Sequence, residues 1–214
     1  MNELIKRILT STFLIALFGL SFFNKFLLFF VLIFCYYEIY NEFFNLLKKI
    51  FISKNKLKLY FYSFLVLIFL LYLICFIYFT ILNNIEEDII FLLLLISVSI
   101  TSDIGGFVFG KIFKGKKLTS ISPNKTFSGM YGSYVFSLLL ILIYKNFIEF
   151  NYLFIIIIII STISQFGDIF ISYLKRKSNL KDTGHILPGH GGMLDRFDGQ
   201  IFALSFGSLF LLIS

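Results

Sequence analysis

The feature that most constrains this chain is a series of long apolar runs, each separated from the next by a short polar segment. A helix needs about 20 apolar residues to cross the hydrocarbon core of a bilayer. Of the 214 residues, 58% are hydrophobic and 14% are charged, whereas a soluble domain has roughly 45–50% and about 25%. A single soluble core could not bury this much apolar surface. The pattern predicts an all-α, polytopic integral membrane protein and excludes disorder, nucleic-acid binding and a secreted disulfide scaffold.

The apolar runs predict about seven transmembrane helices. Their approximate limits are residues 8–23, 26–40, 59–82, 89–110, 130–144, 152–174 and 200–213. The first, second, fifth and last runs are short, so tilted, interfacial or re-entrant segments stay open as alternatives for them. Lys6 and Arg7 resemble the start of a secretory signal, but no small-residue cleavage site follows, so we expect a retained first span.

The basic residues set the expected orientation, because cytoplasmic loops collect Lys and Arg. If the N-terminus is cytoplasmic, all 19 basic residues except Lys25 and Lys145 fall in cytoplasmic segments. The second outer turn, at residues 83–88, is acidic. Most of the net charge of +7 therefore reflects topology rather than ligand binding.

Small and turn-forming residues are concentrated in the second half of the chain. All glycines except Gly19 and Gly207 lie between residues 105 and 199, as do both prolines and both histidines. Helix packing alone would spread small residues over every span. We therefore predict one membrane domain, in which residues 1–88 are a hydrophobic scaffold and residues 89–214 carry the function. Glu38 and Glu42, one helical turn apart at a membrane edge, are interpreted as interfacial rather than catalytic.

Two aspartates lie inside predicted spans, Asp103 in the fourth and Asp168 in the sixth. A carboxylate in lipid is costly, so each is a functional hypothesis. Both lie about 10 Å below the inner end of their predicted span, at a rise of 1.5 Å per residue. Equal depth allows the two to converge on a metal ion. A helix–helix hydrogen bond, or an aspartate facing a water-filled vestibule, remains the alternative.

The first of two predicted functional cytoplasmic loops covers residues 111–130. Lys125 directly precedes the fifth predicted helix, for which Thr126 and Ser128 are candidate N-caps. Free N–H groups and the helix dipole favour an anion at such a position. The loop is therefore a candidate phosphate site, and a solvated basic loop is the alternative.

The second loop covers residues 175–198. Gly191 and Gly192 follow His190, and such a loop can place backbone donors against a ligand. Asp195 and Asp198 open the last helix three residues apart, on one face. Carboxylates suit a hard cation such as magnesium, and the interleaved Lys and Arg suit phosphates. A flexible glycine-rich loop before an ordinary capped helix would leave this concentration of charge at the membrane edge unexplained.

Residues 172–198 resemble the signature motif of the phosphatidate cytidylyltransferases, also called CDP-diacylglycerol synthases. The matching pieces are Lys175-Arg176, Lys181-Asp182, Pro188-x-His190-Gly191-Gly192 and Asp195-Arg196-x-Asp198. Further matches are Ser102-Asp103 with Gly110-Lys111, Ser122-Pro123-Asn124-Lys125-Thr126, and Gly167-Asp168. The resemblance covers about residues 97–214. Phe107 stands where the family has Tyr, Lys111 replaces an Arg, and relative to the family we expect a span or two to be missing at the N-terminal end.

The resemblance implies conversion of CTP and phosphatidate to CDP-diacylglycerol and diphosphate, in phospholipid biosynthesis at the cytoplasmic face of a bacterial inner membrane. It makes residues 89–214 the catalytic region. It implies magnesium as the cofactor, a second cation beside it, and a homodimer in the bilayer. The lipid phosphate is already ionised near neutral pH, because its second pKa is about 6, so the reaction needs no general base.

The same resemblance assigns roles to individual residues. Aspartates hold metal, namely Asp103, Asp168, Asp195 and Asp198. The catalytic set is Asp103, Lys125, Asp168, Lys175, Arg176, Asp195 and Arg196. Substrate contacts are expected from Ser122, Pro123, Asn124, Thr126, Lys181, Asp182, His190, Gly191, Gly192 and Asp198.

Two other function classes compete with this interpretation. A CTP-dependent polyprenol or phytol kinase, or a cytidylyltransferase for another lipid phosphate, would use a similar scaffold. A small ion-coupled transporter would use an intramembrane aspartate pair as an ion path. The transporter predicts polar residues continuing to the outer face, but the outer thirds of the fourth and sixth spans are Phe, Leu and Ile.

Overall fold

The computed structural model describes residues 12, 16–17, 19–21, 23–51, 55–119, 122, 125–186 and 191–213. These residues form helices α1 (Lys25–Phe51), α2 (Lys56–Asn83), α3 (Glu86–Phe113), α4 (Phe127–Leu138), α5 (Ile141–Tyr144), α6 (Phe150–Lys177) and α7 (Leu194–Ile213). No β-strand occurs within these ranges, although Lys117 and Thr126 form an isolated antiparallel bridge. The predicted all-α class is confirmed.

Five helical segments are long and apolar enough to cross a membrane, which confirms a multi-pass membrane protein. They are Lys25–Phe51, Lys56–Asn83, Glu86–Phe113, Phe127–Tyr144 and Phe150–Lys177, corresponding to the second to sixth predicted spans. Most of the first predicted span, with Lys6 and Arg7, lies outside the described residues. The seventh falls within α7, a helix of 20 residues that is not among the five. The count of seven therefore stays a prediction.

Helix α1 continues well beyond the predicted limit at residue 40. Its last three turns are amphipathic: Phe43, Leu46 and Ile50 are buried, whereas Lys48 and Lys49 are exposed. A membrane-span criterion stops at the first charges, but buried residues three and four positions apart keep a helix packed through them. Helix α1 therefore continues beyond its apolar part as an amphipathic segment, which packs through its buried face.

The chain divides into two compact units, and the first consists of residues 1–83 and 174–197. Within it α1 packs against α2. Helix α6 ends in this unit, where Asn179 has a φ of 56°. Asparagine tolerates this left-handed conformation, which stops a helix. The chain then passes into residues 178–193, named here the signature loop, before α7 begins.

The second unit consists of residues 84–173 and 198–214. Within it α3 packs tightly on α4, because Gly105 and Gly132 face each other and a Cβ on either would collide with the opposite backbone. Ser133 donates a hydrogen bond to the Ser102 carbonyl (2.7 Å), and the hydroxyls of Ser102 and Ser161 are 3.1 Å apart. These contacts fix α3 against both α4 and α6. The neighbouring Asp103 is thereby held in a defined place.

Candidate active site

Asp103 and Asp168 line one cavity of about 250 Å³ in the second unit, together with Lys125. Asp103 comes from α3, Asp168 from α6, and Lys125 from the segment before α4. Both helices run three residues past their predicted ends, so both aspartates lie about 15 Å from the helix ends rather than about 10 Å. The equal depth is retained, and the expected convergence of the two aspartates is confirmed.

The charged groups of this cavity contact one another directly. Lys125 forms an ion pair with Asp168, and their side chains are 24% and 29% exposed. Asp198, which is buried, accepts a hydrogen bond from the Gly199 N–H (2.9 Å) and lies near Asp168 and Asp103. Three carboxylates of the second unit thus lie near one another, and Asp168 among them pairs with the Lys125 ammonium. Neighbouring carboxylates repel one another unless a proton or a cation lies between them, and the Lys125 ammonium is one such cation.

The segment before α4 holds Lys125 through its backbone. The Lys125 N–H donates to the Ser122 carbonyl (3.0 Å), and the Lys125 carbonyl accepts from the Leu118 N–H (2.8 Å). Thr126 caps α4, because its hydroxyl accepts from the Gly129 N–H (3.1 Å). The predicted N-cap at Thr126 is confirmed, and Ser128 instead donates to the Lys114 carbonyl. The segment folds back on itself around Lys125, whereas Lys111, Lys114, Lys116 and Lys117 of the same loop are exposed. Pro123 and Asn124 lie outside the described residues.

A second charged cluster lies in the first unit and is centred on Asp195. Lys175 Nζ lies 2.7 Å from Asp195 Oδ1, and their side chains are 16% and 8% exposed. Asp195 Oδ2 accepts from the N–H groups of Thr183 (2.8 Å) and Gly192 (3.1 Å). Burial acts to raise the pKa of Asp195, but these three donors outweigh it and hold the pKa below its ordinary value. Asp195 therefore joins the end of α6, the signature loop and the start of α7 as a charged group.

The other charged residues predicted for this region lie on its surface. Arg176, Lys181, Asp182 and Arg196 are exposed, and His190 lies outside the described residues. Gly191 has a φ of 84°, a left-handed conformation that suits glycine, and Gly192 is buried. An open cavity of about 460 Å³ adjoins the signature loop. Its charged or titratable lining residues are Lys48, Lys49, Asp182 and His185.

Glu42 is the polar residue whose place the sequence interpretation missed. It is 4% exposed and accepts hydrogen bonds from the Thr183 hydroxyl and from the N–H groups of Met193 and Leu194, both at 2.9 Å. The interfacial interpretation of Glu42 is therefore wrong. Its register between the buried residues Ile39 and Leu46 was a signal that it points inward. No pattern in the sequence named its partners.

Magnesium requires oxygen ligands in a near-octahedral arrangement, which carboxylates can supply in part. Within the described ranges, no group of three or more His, Cys, Asp or Glu side chains could hold a metal ion by itself. Magnesium is commonly held by one or two carboxylates together with substrate phosphates, so Asp168 and Asp198 fit that mode. Both oxygens of Asp195 already accept hydrogen bonds. Its predicted role as a metal ligand stays a prediction.

Comparison with known proteins identifies the family of this chain. The sequence model of the cytidylyltransferase family matches residues 5–214. A phosphatidate cytidylyltransferase of Rickettsia felis is 52% identical over 104 residues, which cover 43% of this chain and 45% of that protein. A phosphatidate cytidylyltransferase of Staphylococcus saprophyticus is 43% identical over 116 residues, covering 52% of this chain and 45% of that protein. The matched stretch thus spans less than half the length of these curated relatives. Since the family model matches nearly the whole sequence, the chain belongs to the cytidylyltransferase family.

Proposed function

We propose that the chain transfers a cytidylyl group from CTP to phosphatidate, which gives CDP-diacylglycerol and diphosphate. The observation that carries this is the meeting of Asp103, Asp168 and Lys125 in one cavity within membrane-spanning helices. Family membership and the name printed for the relatives, phosphatidate cytidylyltransferase, support the same reaction. The substrates, the direction of transfer and the cytoplasmic inner-membrane location all belong to this proposal.

The chemistry needs positioning and charge neutralisation more than proton transfer. An oxygen of the lipid phosphate forms a bond to the α-phosphorus of CTP, and the bond from that phosphorus to the diphosphate leaving group breaks. The nucleophile is ionised near neutral pH, so no general base is required. The barrier lies in bringing two anions together in line, which cations and fixed donors lower. Lys125 supplies such a cation in the cavity, where it forms an ion pair with Asp168.

Metal binding is part of the proposal. Asp168 and Asp198 would hold magnesium, with Asp103 beside them, and the ion would neutralise phosphate charge when bound. A phosphate that binds Lys125 would lie next to Asp168, since the two side chains form an ion pair. Arg176 and Arg196 are exposed, and the family resemblance assigns further phosphates to them. A second cation and a homodimer are proposed from the family resemblance alone.

The proposed orientation of the chain in the membrane rests on the basic residues in the last turns of its helices. Lys48 and Lys49 lie in the last turn of α1, and Lys175, Arg176 and Lys177 lie in the last turn of α6. Basic residues at span ends mark the cytoplasmic side. We therefore propose that both functional loops are cytoplasmic, and a cytoplasmic N-terminus additionally requires the first predicted span, most of which lies outside the described residues.

The decisive assay uses purified protein in detergent with phosphatidate, magnesium and CTP labelled on either the α- or the γ-phosphate. Label from the α-phosphate in the lipid product supports cytidylyl transfer, whereas label from the γ-phosphate shows a lipid kinase. No lipid label from either nucleotide would refute both functions. Chelation of magnesium with EDTA should abolish the transfer, and added magnesium should restore it.

Matched variants connect the assay to the cavity. Asp168→Asn removes the charge that pairs with Lys125 and should abolish transfer. Asp88→Asn makes the same chemical change in the first turn of α3 and should leave transfer at the wild-type rate. Equal activity of the two variants would show that the cavity does not carry the reaction.

A further inference from the structure

We infer that Glu42 is a positioning residue that docks the signature loop and the start of α7 onto α1. Its hydrogen-bond partners lie 141 to 152 residues away along the chain. The structural part of this role stands on contacts within the first unit. Its effect on the reaction rests on the proposed function.

Both carboxylate oxygens of Glu42 are used. Oε1 accepts from the Met193 N–H (2.9 Å), and Oε2 accepts from the Leu194 N–H (2.9 Å) and the Thr183 hydroxyl. The first N–H groups of a helix have no partner within the helix, and a negative charge is favoured beside them. Glu42 therefore caps α7 from a different helix, and in doing so it fixes where α7 begins.

Close approach at Gly192 adds a steric constraint. A Cβ at this position would collide with the Glu42 carboxylate and with the Thr183 side chain. Thr183 and Gly192 are themselves buried. The loop is thus held against α1 by contact as well as by hydrogen bonds, which distinguishes docking from an incidental polar contact.

Glu42 and Asp195 hold the same short stretch of chain. Thr183 donates its hydroxyl to Glu42 and its N–H to Asp195. Gly192 donates to Asp195, and the next two N–H groups, of Met193 and Leu194, donate to Glu42. Movement of this stretch away from Glu42 would therefore also release donors from Asp195 and disturb its pair with Lys175. Glu42 acts through these residues rather than on substrate.

The informative variant is Glu42→Gln, which keeps the volume and replaces one acceptor with a donor. In either orientation of the amide, its NH₂ group faces the N–H of Met193 or of Leu194. Glu42→Asp keeps the charge on a shorter stem. Glu38→Gln is the matched control, because Glu38 is the same residue type one turn earlier on α1.

The first measurement is amide hydrogen exchange of the detergent-solubilised full chain, which needs no substrate. In Glu42→Gln, exchange at Met193 and Leu194 should be at least about tenfold faster, as expected for an unsatisfied buried N–H. Exchange in α2 should match the wild type, and Glu38→Gln should match it everywhere. Unchanged exchange at residues 193–194 would overturn the docking role whatever the activity assay gives. Faster exchange spread over α1 and α2 would overturn it too, because that marks general destabilisation.

The second measurement is steady-state cytidylyl transfer. Glu42→Gln should lower kcat about tenfold while KM for CTP and phosphatidate stays within about twofold, since positioning acts on the transition state. Glu42→Asp should recover part of that loss. A kcat equal to that of Glu38→Gln would overturn the effect on the reaction. If Glu42→Gln shows the expected faster exchange but the wild-type protein transfers no cytidylyl group, the proposed function is refuted and the docking role stands.

Discussion

Replacing Asp195 with asparagine tests the cluster that joins α6, the signature loop and α7. The asparagine side chain offers one oxygen where the aspartate used two. If that oxygen keeps the N–H groups of Thr183 and Gly192, the amide NH₂ faces the Lys175 ammonium. If the amide is reversed, the two N–H groups lose their acceptor. Either way the variant leaves a donor without a partner.

The size of the effect follows from the burial of the pair. The side chains of Lys175 and Asp195 are 16% and 8% exposed, so solvent screens them little. An unsatisfied buried polar group costs about 1–3 kcal/mol, and more when it is charged. We take about 3 kcal/mol, which for a protein of this size corresponds to a fall in Tm of roughly 6–12 °C.

The assay is thermal unfolding of detergent-solubilised protein, with all variants heated at one rate because membrane proteins often unfold irreversibly. Asp88→Asn serves as the control and should lie within about 1 °C of the wild type. The double variant Lys175→Met/Asp195→Asn should lose less than the sum of the two single losses, because it removes the stranded ammonium. An Asp195→Asn protein as stable as the control, or strictly additive losses, would refute the reasoning.

Three further predictions concern a cap, a helix contact and pH. Thr126→Ala removes the side-chain acceptor for the Gly129 N–H, so we expect about 1 kcal/mol less stability and a Tm about 2–4 °C lower in the same assay. Gly132→Ala places a Cβ against α3 and should reduce the yield of folded protein from membranes severalfold, whereas Gly19→Ala, with nothing within 4 Å, should not. Because the pKa of Asp195 is lowered, its contribution to stability is complete above the ordinary carboxyl range and is lost as pH falls through the folded value. Exchange at the Gly192 N–H, corrected for its intrinsic pH dependence, should therefore be as slow at pH 5 as at pH 7 and should accelerate only below about pH 4.

Signals that are local or periodic allowed correct predictions. The apolar runs predicted the class and five of the spans, because a helix in lipid must satisfy its backbone internally and expose apolar side chains. The equal depth of Asp103 and Asp168 followed from the fixed rise of a helix. The cap at Thr126 followed from the side-chain preferences of a helix start. Each of these depends on residues within a few turns of one another.

Other features could not be read from the sequence. The helix ends were wrong by several residues, most of all at α1, because a hydropathy limit ignores an amphipathic continuation that packs through its charges. Glu42 was placed at an interface because it lies at the predicted membrane edge, one helical turn from Glu38. Its burial follows from donors on the signature loop, which no spacing within α1 indicates.

The sequence by itself determined the membrane class and five of the helical spans, and it supplied the expected orientation and the family resemblance of the signature motif. Only the tertiary structure decided which charges meet: Lys125 with Asp168, Lys175 with Asp195, and Glu42 with the start of α7. The physical reason is that a buried charge must find its partner in space. That partner can lie anywhere along the chain once the helices have packed.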